Sequence, residues 1–343
     1  MNNHNQHTWG VILAAGDGTR LQPFVRSRYH LTCPKQFCAF TGSRSLLRHT
    51  IDRVETIIPR QQLVTIVGRR HMKYAEPQLA DRPPDTVLMQ PRNRETAPGI
   101  LHSLLRINRR DPEAVVCLFP SDQFILEERR FMACVRRATR IASVYPGSLI
   151  LLGVQPTFVE DGYGWIEKGE RLSGESAGQV YRVHRFIEKP DMRMAQVLYL
   201  TGSLLNTMVV VCRAQTLLNL FERNTPSLFA EFSKIKYSLD TPMEAELLDS
   251  LYARIPAVNF SYAILERNPE ELRVLEVRNV YWSDWGVPER VEFDLKTFFA
   301  PAARTARTPI AEAEDPREAR RISVHAGASF GDAASRTRWQ NPL

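Results

Sequence analysis

Short apolar runs of strand length alternate with segments of helical period through most of this 343-residue chain. Residues 9–15, 63–68, 86–90, 114–120 and 149–154 read as buried strands, because each is a nearly continuous apolar run. Residues 45–58, 96–110 and 127–145 read as helices. In the first of these, Leu46, Leu47, Ile51, Val54 and Ile58 form one apolar stripe at helical spacing, which makes it the face turned to a core. That rhythm predicts an α/β fold with a mixed, mostly parallel central sheet and helices on both faces. Beyond residue 154 the rhythm changes: residues 162–169, 180–188 and 207–211 read as strands with shorter helices between them, a smaller antiparallel addition. From residue 297 the apolar period ends. The predicted domains are therefore 1–296, one folded domain, and 297–343, a disordered tail rich in Ala, Arg, Thr and Pro.

Composition narrows the function classes. No apolar run approaches the roughly 18 residues that a membrane span needs, and the polar opening shows no leader pattern, so no membrane association is expected. The formal charge of +7 lies wholly in the first 70 residues, where ten Lys and Arg face three acids. An anionic partner met by the N-terminal fifth follows from that placement. Nucleic acid is not expected, because Trp9, Phe24, Tyr29, Phe37 and Phe40 do not interleave regularly with the basic residues. The five cysteines are scattered without a CxxC pair, so neither zinc nor a disulfide framework is indicated, and a reducing cytoplasm fits. The eight histidines show no metal spacing or triad order.

The first strand runs into Leu13-Ala14-Ala15-Gly16-Asp17-Gly18-Thr19-Arg20-Leu21. Glycines there let backbone NH groups approach phosphate oxygens, and Arg20 can add a bidentate contact. The same letters also fit an ordinary strand-to-turn junction. A dinucleotide fingerprint lacks its third glycine here, and the GxxxxGK loop of P-loop proteins is absent. Further on come Pro34-Lys35-Gln36-Phe37, residues 90–100 with Gln90, Thr96, Ala97 and Pro98, and Ser121-Asp122 after the fourth strand. Later still stand Gly162-Tyr163-Gly164, Phe186-Ile187-Glu188-Lys189-Pro190, Leu205-Asn206-Thr207-Met208 and Trp282-Ser283-Asp284-Trp285-Gly286. Taken singly, Asp122 could be a helix cap, Gly164 part of a hairpin, and Glu188 with Lys189 solvated surface. Thr96 reads as the N-cap of its helix, and the segment could be no more than a well-capped helix.

In this order the segments resemble the sugar-1-phosphate nucleotidyltransferases over about residues 9–290, and the PKQF form is most like the mannose-1-phosphate guanylyltransferase branch. The resemblance implies a Rossmann-like, GT-A-like fold and transfer of a nucleotidyl group from GTP to mannose 1-phosphate. By the same resemblance, Leu13, Ala14, Ala15, Gly16, Gly18, Thr19, Gln90, Thr96 and Ala97 would bind nucleotide. Arg20 and Lys35 would grip the triphosphate, Asp122 and Asp284 would hold Mg²⁺, and Gly164, Glu188, Lys189 and Asn206 would orient the sugar phosphate. The chain departs from the family pattern at Ala15 and Met208, where glycines are usual, and at Glu95, where asparagine is usual. The stretch from Arg20 to Lys35 is also longer than usual, and Arg26 and Arg28 on it are expected to assist at the phosphates. Thymidylyl, uridylyl or adenylyl transfer to glucose 1-phosphate stays open, as does a catalytically silent sugar-nucleotide binder. A homo-oligomer stays open too, and the length leaves no room for the C-terminal isomerase domain of longer relatives.

Overall fold

Strand β1 (Thr8–Ala14) is buried along almost its whole length, and its alternation sends Val11 to one apolar cluster and Ile12 to another. A strand apolar on both faces must be covered on both, and that requirement organises the molecule. The structure is a computed structural model and describes residues 6–172 and 179–299. The chain divides into two units, Met1–Leu295 and Lys296–Leu343, and every functional residue considered below lies in the first.

After β1 come α1 (Gln22–Tyr29), α2 (Leu46–Glu55), β2 (Leu63–Gly68), α3 (Met72–Leu79), β3 (Val87–Gln90), α4 (Thr96–Arg110) and β4 (Val115–Pro120). There follow β5 (Phe124–Ile125), α5 (Glu128–Val144), β6 (Leu149–Val154), β7 (Gly164–Arg171), β8 (Val180–Glu188), α6 (Met192–Leu200) and β9 (Leu204–Arg213). The remaining elements are α7 (Ala214–Asn224), α8 (Pro226–Ile235), α9 (Glu244–Arg254), β10 (Leu272–Val277), β11 (Trp282–Ser283) and α10 (Pro288–Phe299). Nine strands form one sheet in the order β3-β2-β1-β4-β9-β6-β10-β8-β7, and β5 pairs with β11 apart from it. Helices α2 and α5 pack on one face around Leu47, Ile51, Phe131 and Val135. Helices α4, α7, α8 and α9 cover the other through Ile100, Leu104, Phe221, Phe232 and Tyr252.

The parallel half, β3-β2-β1-β4, is as the periodicity predicts. The antiparallel component reaches further inward than expected, because β9 runs against both β4 and β6 in the middle of the sheet. The direction expected for residues 207–211 is therefore observed, but at the centre of the sheet instead of beside it. Strand β10 escapes the apolar search because Arg273 and Glu276 interrupt it. Both are buried with partners: Arg273 donates to the Glu270 and Leu272 carbonyls, while Glu276 accepts from Arg278 and Gln155.

Helix α10 continues to Phe299, past the boundary predicted at 296. Its anchor within the first unit is polar rather than apolar: buried Asp294 accepts from the Trp285 indole at 2.7 Å and from the Tyr281 hydroxyl. Residues 300–343, the rest of the predicted tail, lie outside the described residues. The long stretch between Arg20 and Lys35 holds α1, with Pro23 in its first turn and Val25 buried beneath it. No helix among the described residues is long and apolar enough to cross a membrane.

Candidate active site

Chain order reverses at β1, which pairs with β2 on one side and β4 on the other. Ligands of open α/β sheets bind outside the strands' carboxyl ends at such a switch point. A cavity of about 540 Å³ lies there. It brings together Leu13, Ala15, Gly16, Gly18, Thr19, Arg20, Lys35, Gln90, Thr96, Asp122, Gly164, Glu188, Asn206 and Asp284, drawn from segments up to 270 residues apart in number.

The register explains the end beside the first loop. Leu13 of β1 lies beside Pro120 of β4, so the loop after β1 and the Ser121-Asp122 corner leave the sheet together. The Ser121 hydroxyl ties them by donating to the Leu13 carbonyl at 2.7 Å. Gly18 adopts φ 58°, where an L side chain is strained, and a Cβ there would meet the Lys35 backbone nitrogen at 3.3 Å. Gly16 faces open space. Arg26 and Arg28, expected to assist, do not line the cavity: they lie on α1 with their side chains exposed to solvent.

Lys35 stands at the centre. It is buried, and its ammonium donates to the Asp284 carbonyl, to the Trp285 carbonyl at 3.2 Å, and lies 3.1 Å from the Asp122 carboxylate. The added helix therefore does not carry it out of reach. One cation thus gathers two acidic segments 162 positions apart. On Asp284, one carboxylate oxygen accepts from the Tyr163 hydroxyl and from the Gly286 NH at 2.8 Å. Burial, reinforced by the Asp284 charge, pushes the Tyr163 hydroxyl's pKa up, so it stays a donor.

At the other end β7, β8 and β9 converge. Gly164 pairs with Glu188, and a Cβ on Gly164 would fall 2.8 Å from the Glu188 carboxylate and from the Phe186 ring. Burial raises the Glu188 carboxyl above its ordinary value, opposed by Lys189 and by a hydrogen bond from Ser261. Lys189 itself does not line the cavity. Its φ of 48° turns the chain immediately after β8, and its half-exposed ammonium reaches only to 3.9 Å from Glu188. Met208, where glycine is usual, has φ 58° and lines the cavity, its sulfur 3.4 Å from the Ser261 hydroxyl oxygen. The positive φ gives the physical reason a glycine suits this position.

Gln90, Asn93, Glu95, Thr96 and Gly99 wall the third end. Thr96 is the first residue of α4 rather than its cap: Glu95 holds the cap position, and the Thr96 hydroxyl accepts from the Phe260 NH at 2.9 Å. Two predicted nucleotide contacts are displaced by packing. Ala97 is fully buried and its NH donates to the Val258 carbonyl, leaving nothing for a base. Ala14 is buried in the core, with its carbonyl accepting from Gln36.

Sequence reasoning missed several residues that build the site. Gln36, inside the PKQF motif, is buried and donates to the Ala14 and Gly16 carbonyls at 3.2 and 2.7 Å, pinning the first loop. Gln123 donates to the Thr207 carbonyl and accepts from the Trp282 indole, joining the Asp122 corner to β9 and β11. Asp17 accepts from Asn93 at 2.8 Å and lies beside Arg70 and His71. Asp17, Gln36, Gln123 and Tyr163 carried a signal, as direct neighbours of motif residues.

Among the described residues no group of three or more His, Cys, Asp or Glu surrounds a metal-sized point. The Asp122 carboxylate faces Lys35, the Asp284 carboxylate accepts from Tyr163 and Gly286, and both residues line the cavity. Two carboxylates completed by substrate phosphates and water are what Mg²⁺ takes, so the donor set fits that ion.

A family model described as nucleotidyl transferase matches residues 9–291. The mannose-1-phosphate guanylyltransferase of Escherichia coli (strain K12) is 29% identical over 282 residues, covering 80% of this chain and 57% of that protein. The xanthan biosynthesis protein XanB of Xanthomonas campestris pv. campestris (strain B100) is 30% identical over 280 residues, with the same coverage. The chain thus spans little more than half the length of these relatives. A solved protein of Thermus thermophilus, described as mannose-1-phosphate geranyltransferase, superposes with a TM-score of 0.70 at 25% identity, covering 82% of this chain and 76% of that one. A Helicobacter pylori structure described as mannose-6-phosphate isomerase shares the fold at TM-score 0.64 and 20% identity, covering 81% and 99%.

Proposed function

The chain belongs to the nucleotidyl transferase family, and from that premise we propose that it joins GTP to mannose 1-phosphate, giving GDP-mannose and pyrophosphate. The observation that supports this best is the Lys35 ammonium set between Asp122 and Asp284 at the edge of one cavity. The guanylyl and mannose assignments take further support from the relatives' names.

The sugar 1-phosphate is largely ionised at neutral pH, since the second phosphate pKa is about 6. It needs alignment and charge neutralisation more than a base, which suits a cavity without a nucleophile–base pair. The glycines of the first loop receive the triphosphate, with Arg20 and Lys35 neutralising the departing pyrophosphate. Glu188 and Asn206 accept and donate at the sugar hydroxyls, and Lys189 stands behind Glu188. Asp122 and Asp284 would hold Mg²⁺, which when bound withdraws charge from the phosphoryl oxygens. The free cysteines and the soluble substrates favour a cytoplasmic setting.

The test is pyrophosphate release by Asp122→Asn and Lys35→Ala. Each should lower kcat by about 10²-fold, by analogy with loss of one transition-state donor, while circular dichroism stays unchanged. Full turnover in Asp122→Asn would remove the metal assignment.

A further inference from the structure

Five carboxylates line the cavity: Asp17, Glu95, Asp122, Glu188 and Asp284. Four are engaged by protein groups, Asp17 by Asn93, Arg70 and His71, Asp122 by Lys35, Glu188 by Lys189, and Asp284 by Tyr163 and the Gly286 NH. The Glu95 carboxylate has no hydrogen bond or ion pair among the described residues. Its backbone, by contrast, is firmly placed. The NH donates to the Asn93 side chain at 2.9 Å, and φ 65° with ψ −168° is a region that belongs essentially to glycine. Holding another residue there is strained, and such strain gathers at ligand sites. Glu95 also lines the cavity with Gln90 and Gly99 at the β3–α4 end, which the first loop meets through the Asn93–Asp17 hydrogen bond.

We propose that Glu95 reads the purine edge of the nucleotide, its two oxygens accepting the adjacent N1–H and N2–H₂ donors of guanine. This rests on the GTP reading above and specifies how it is achieved. A carboxylate is acceptor-only. Adenine sets an acceptor beside its amino donor on that edge, and uracil and thymine flank one NH with carbonyls, so each would oppose lone pair to lone pair. Sites that pair a polar group discriminate strongly against analogues lacking it.

The experiment compares kcat/KM for GTP and for ITP, which lacks the 2-amino group, at saturating mannose 1-phosphate. The wild type should prefer GTP by tenfold or more. Glu95→Gln should lose about tenfold on GTP and far less on ITP, collapsing the ratio without moving KM for mannose 1-phosphate. Glu95→Gly, which suits the backbone angle, should fold at least as well and show the same collapse. An unchanged GTP/ITP ratio in both variants, or equal use of the two nucleotides by the wild type, overturns the inference and leaves the guanylyl reading standing. Turnover only with a non-guanine nucleotide removes the reading and the inference together.

A different observation concerns Lys35. Cys33 and Cys38 bracket the turn that carries it, both buried, with their sulfurs 2.8 Å apart. The Cys38 sulfur also faces the Pro34 carbonyl at 3.4 Å. Hydrogen bonding between the thiols draws Cys33 down to about 7 and pushes Cys38 up, which prepares one sulfur as the nucleophile. We infer that this pair is an oxidation site that switches Lys35 out of register. With hydrogen peroxide as oxidant, the Cys33 thiolate attacks a peroxide oxygen, breaking the O–O bond to give a sulfenic acid and hydroxide. The Cys38 sulfur then displaces the sulfenic oxygen and gives up its proton, so two thiols and one peroxide become one disulfide and two waters. A disulfide bond of about 2.05 Å is shorter than the present contact, so oxidation tightens the loop that carries Lys35, and misplacement by ~1 Å can cost 10²-fold.

Full-length protein treated with peroxide should yield a Cys33–Cys38 linked peptide two hydrogen masses lighter, lose at least tenfold in turnover, and recover on reduction. Cys33→Ser and Cys38→Ser should keep basal turnover and resist peroxide. Absence of the linked peptide, or equal peroxide loss in the two variants, overturns the assignment.

Discussion

Glu188 and Gly164 show how the β7–β8 end of the cavity depends on single atoms. The Glu188 carboxyl is raised by burial, so as pH rises the unfolded chain releases this proton first. The resulting burden on stability is absent below the ordinary carboxylate pKa, grows as pH rises between the unfolded and folded values, and is complete above the folded one. Glu188→Gln should therefore melt higher than the wild type at neutral pH, with the difference vanishing in acid, as thermal melts across pH 3–8 would record; losing a charged acceptor worth about 1.5–3 kcal/mol should raise KM for the sugar phosphate by about tenfold or more. Gly164→Ala places a methyl 2.8 Å from both Glu188 and Phe186. It should cost about 1–3 kcal/mol in denaturant unfolding and raise KM for the sugar phosphate, while KM for the nucleotide holds.

Among elements, the first loop and the turn after Pro34 behave as one unit, because Gln36 spans them with two hydrogen bonds. Gln36→Ala removes both, at about 1 kcal/mol each. KM for the nucleotide should rise several-fold in steady-state assays, and KM for the sugar phosphate should stay fixed. The helix that carries Ile100 and Leu104 is readable from its letters because its apolar spacing is strong. Its start is not, since Thr96 serves Phe260 from a distant segment instead of capping its own helix. Strand β10 hides behind Arg273 and Glu276, whose burial is tolerated only through partners that tertiary structure supplies. Motif order recovers the cavity residues Arg20, Lys35, Asp122, Glu188 and Asp284. It cannot recover Ala97's lost NH or the outward turn at Lys189, which depend on a remote carbonyl and on one backbone angle.

At the scale of the whole molecule, the basic residues of the N-terminal fifth divide, with Arg26 and Arg28 exposed on α1. Arg20 and Lys35 face the cavity, whereas Arg48 and Arg53 are absorbed in pairs with Asp52, Asp81 and Glu128. The nine-stranded sheet brings the first loop, Asp122 and the β7–β8–β9 residues to one cavity, and the separate β5–β11 pair adds Asp284 to it. The most direct test is turnover by the full chain with Mg²⁺, offering each of GTP, ATP, UTP, CTP and dTTP with mannose 1-phosphate or glucose 1-phosphate, scored for pyrophosphate and sugar nucleotide. GTP with mannose 1-phosphate should far exceed every other pair and give equal amounts of GDP-mannose and pyrophosphate; no turnover with any pair, or a preference for a non-guanine nucleotide, would contradict the account.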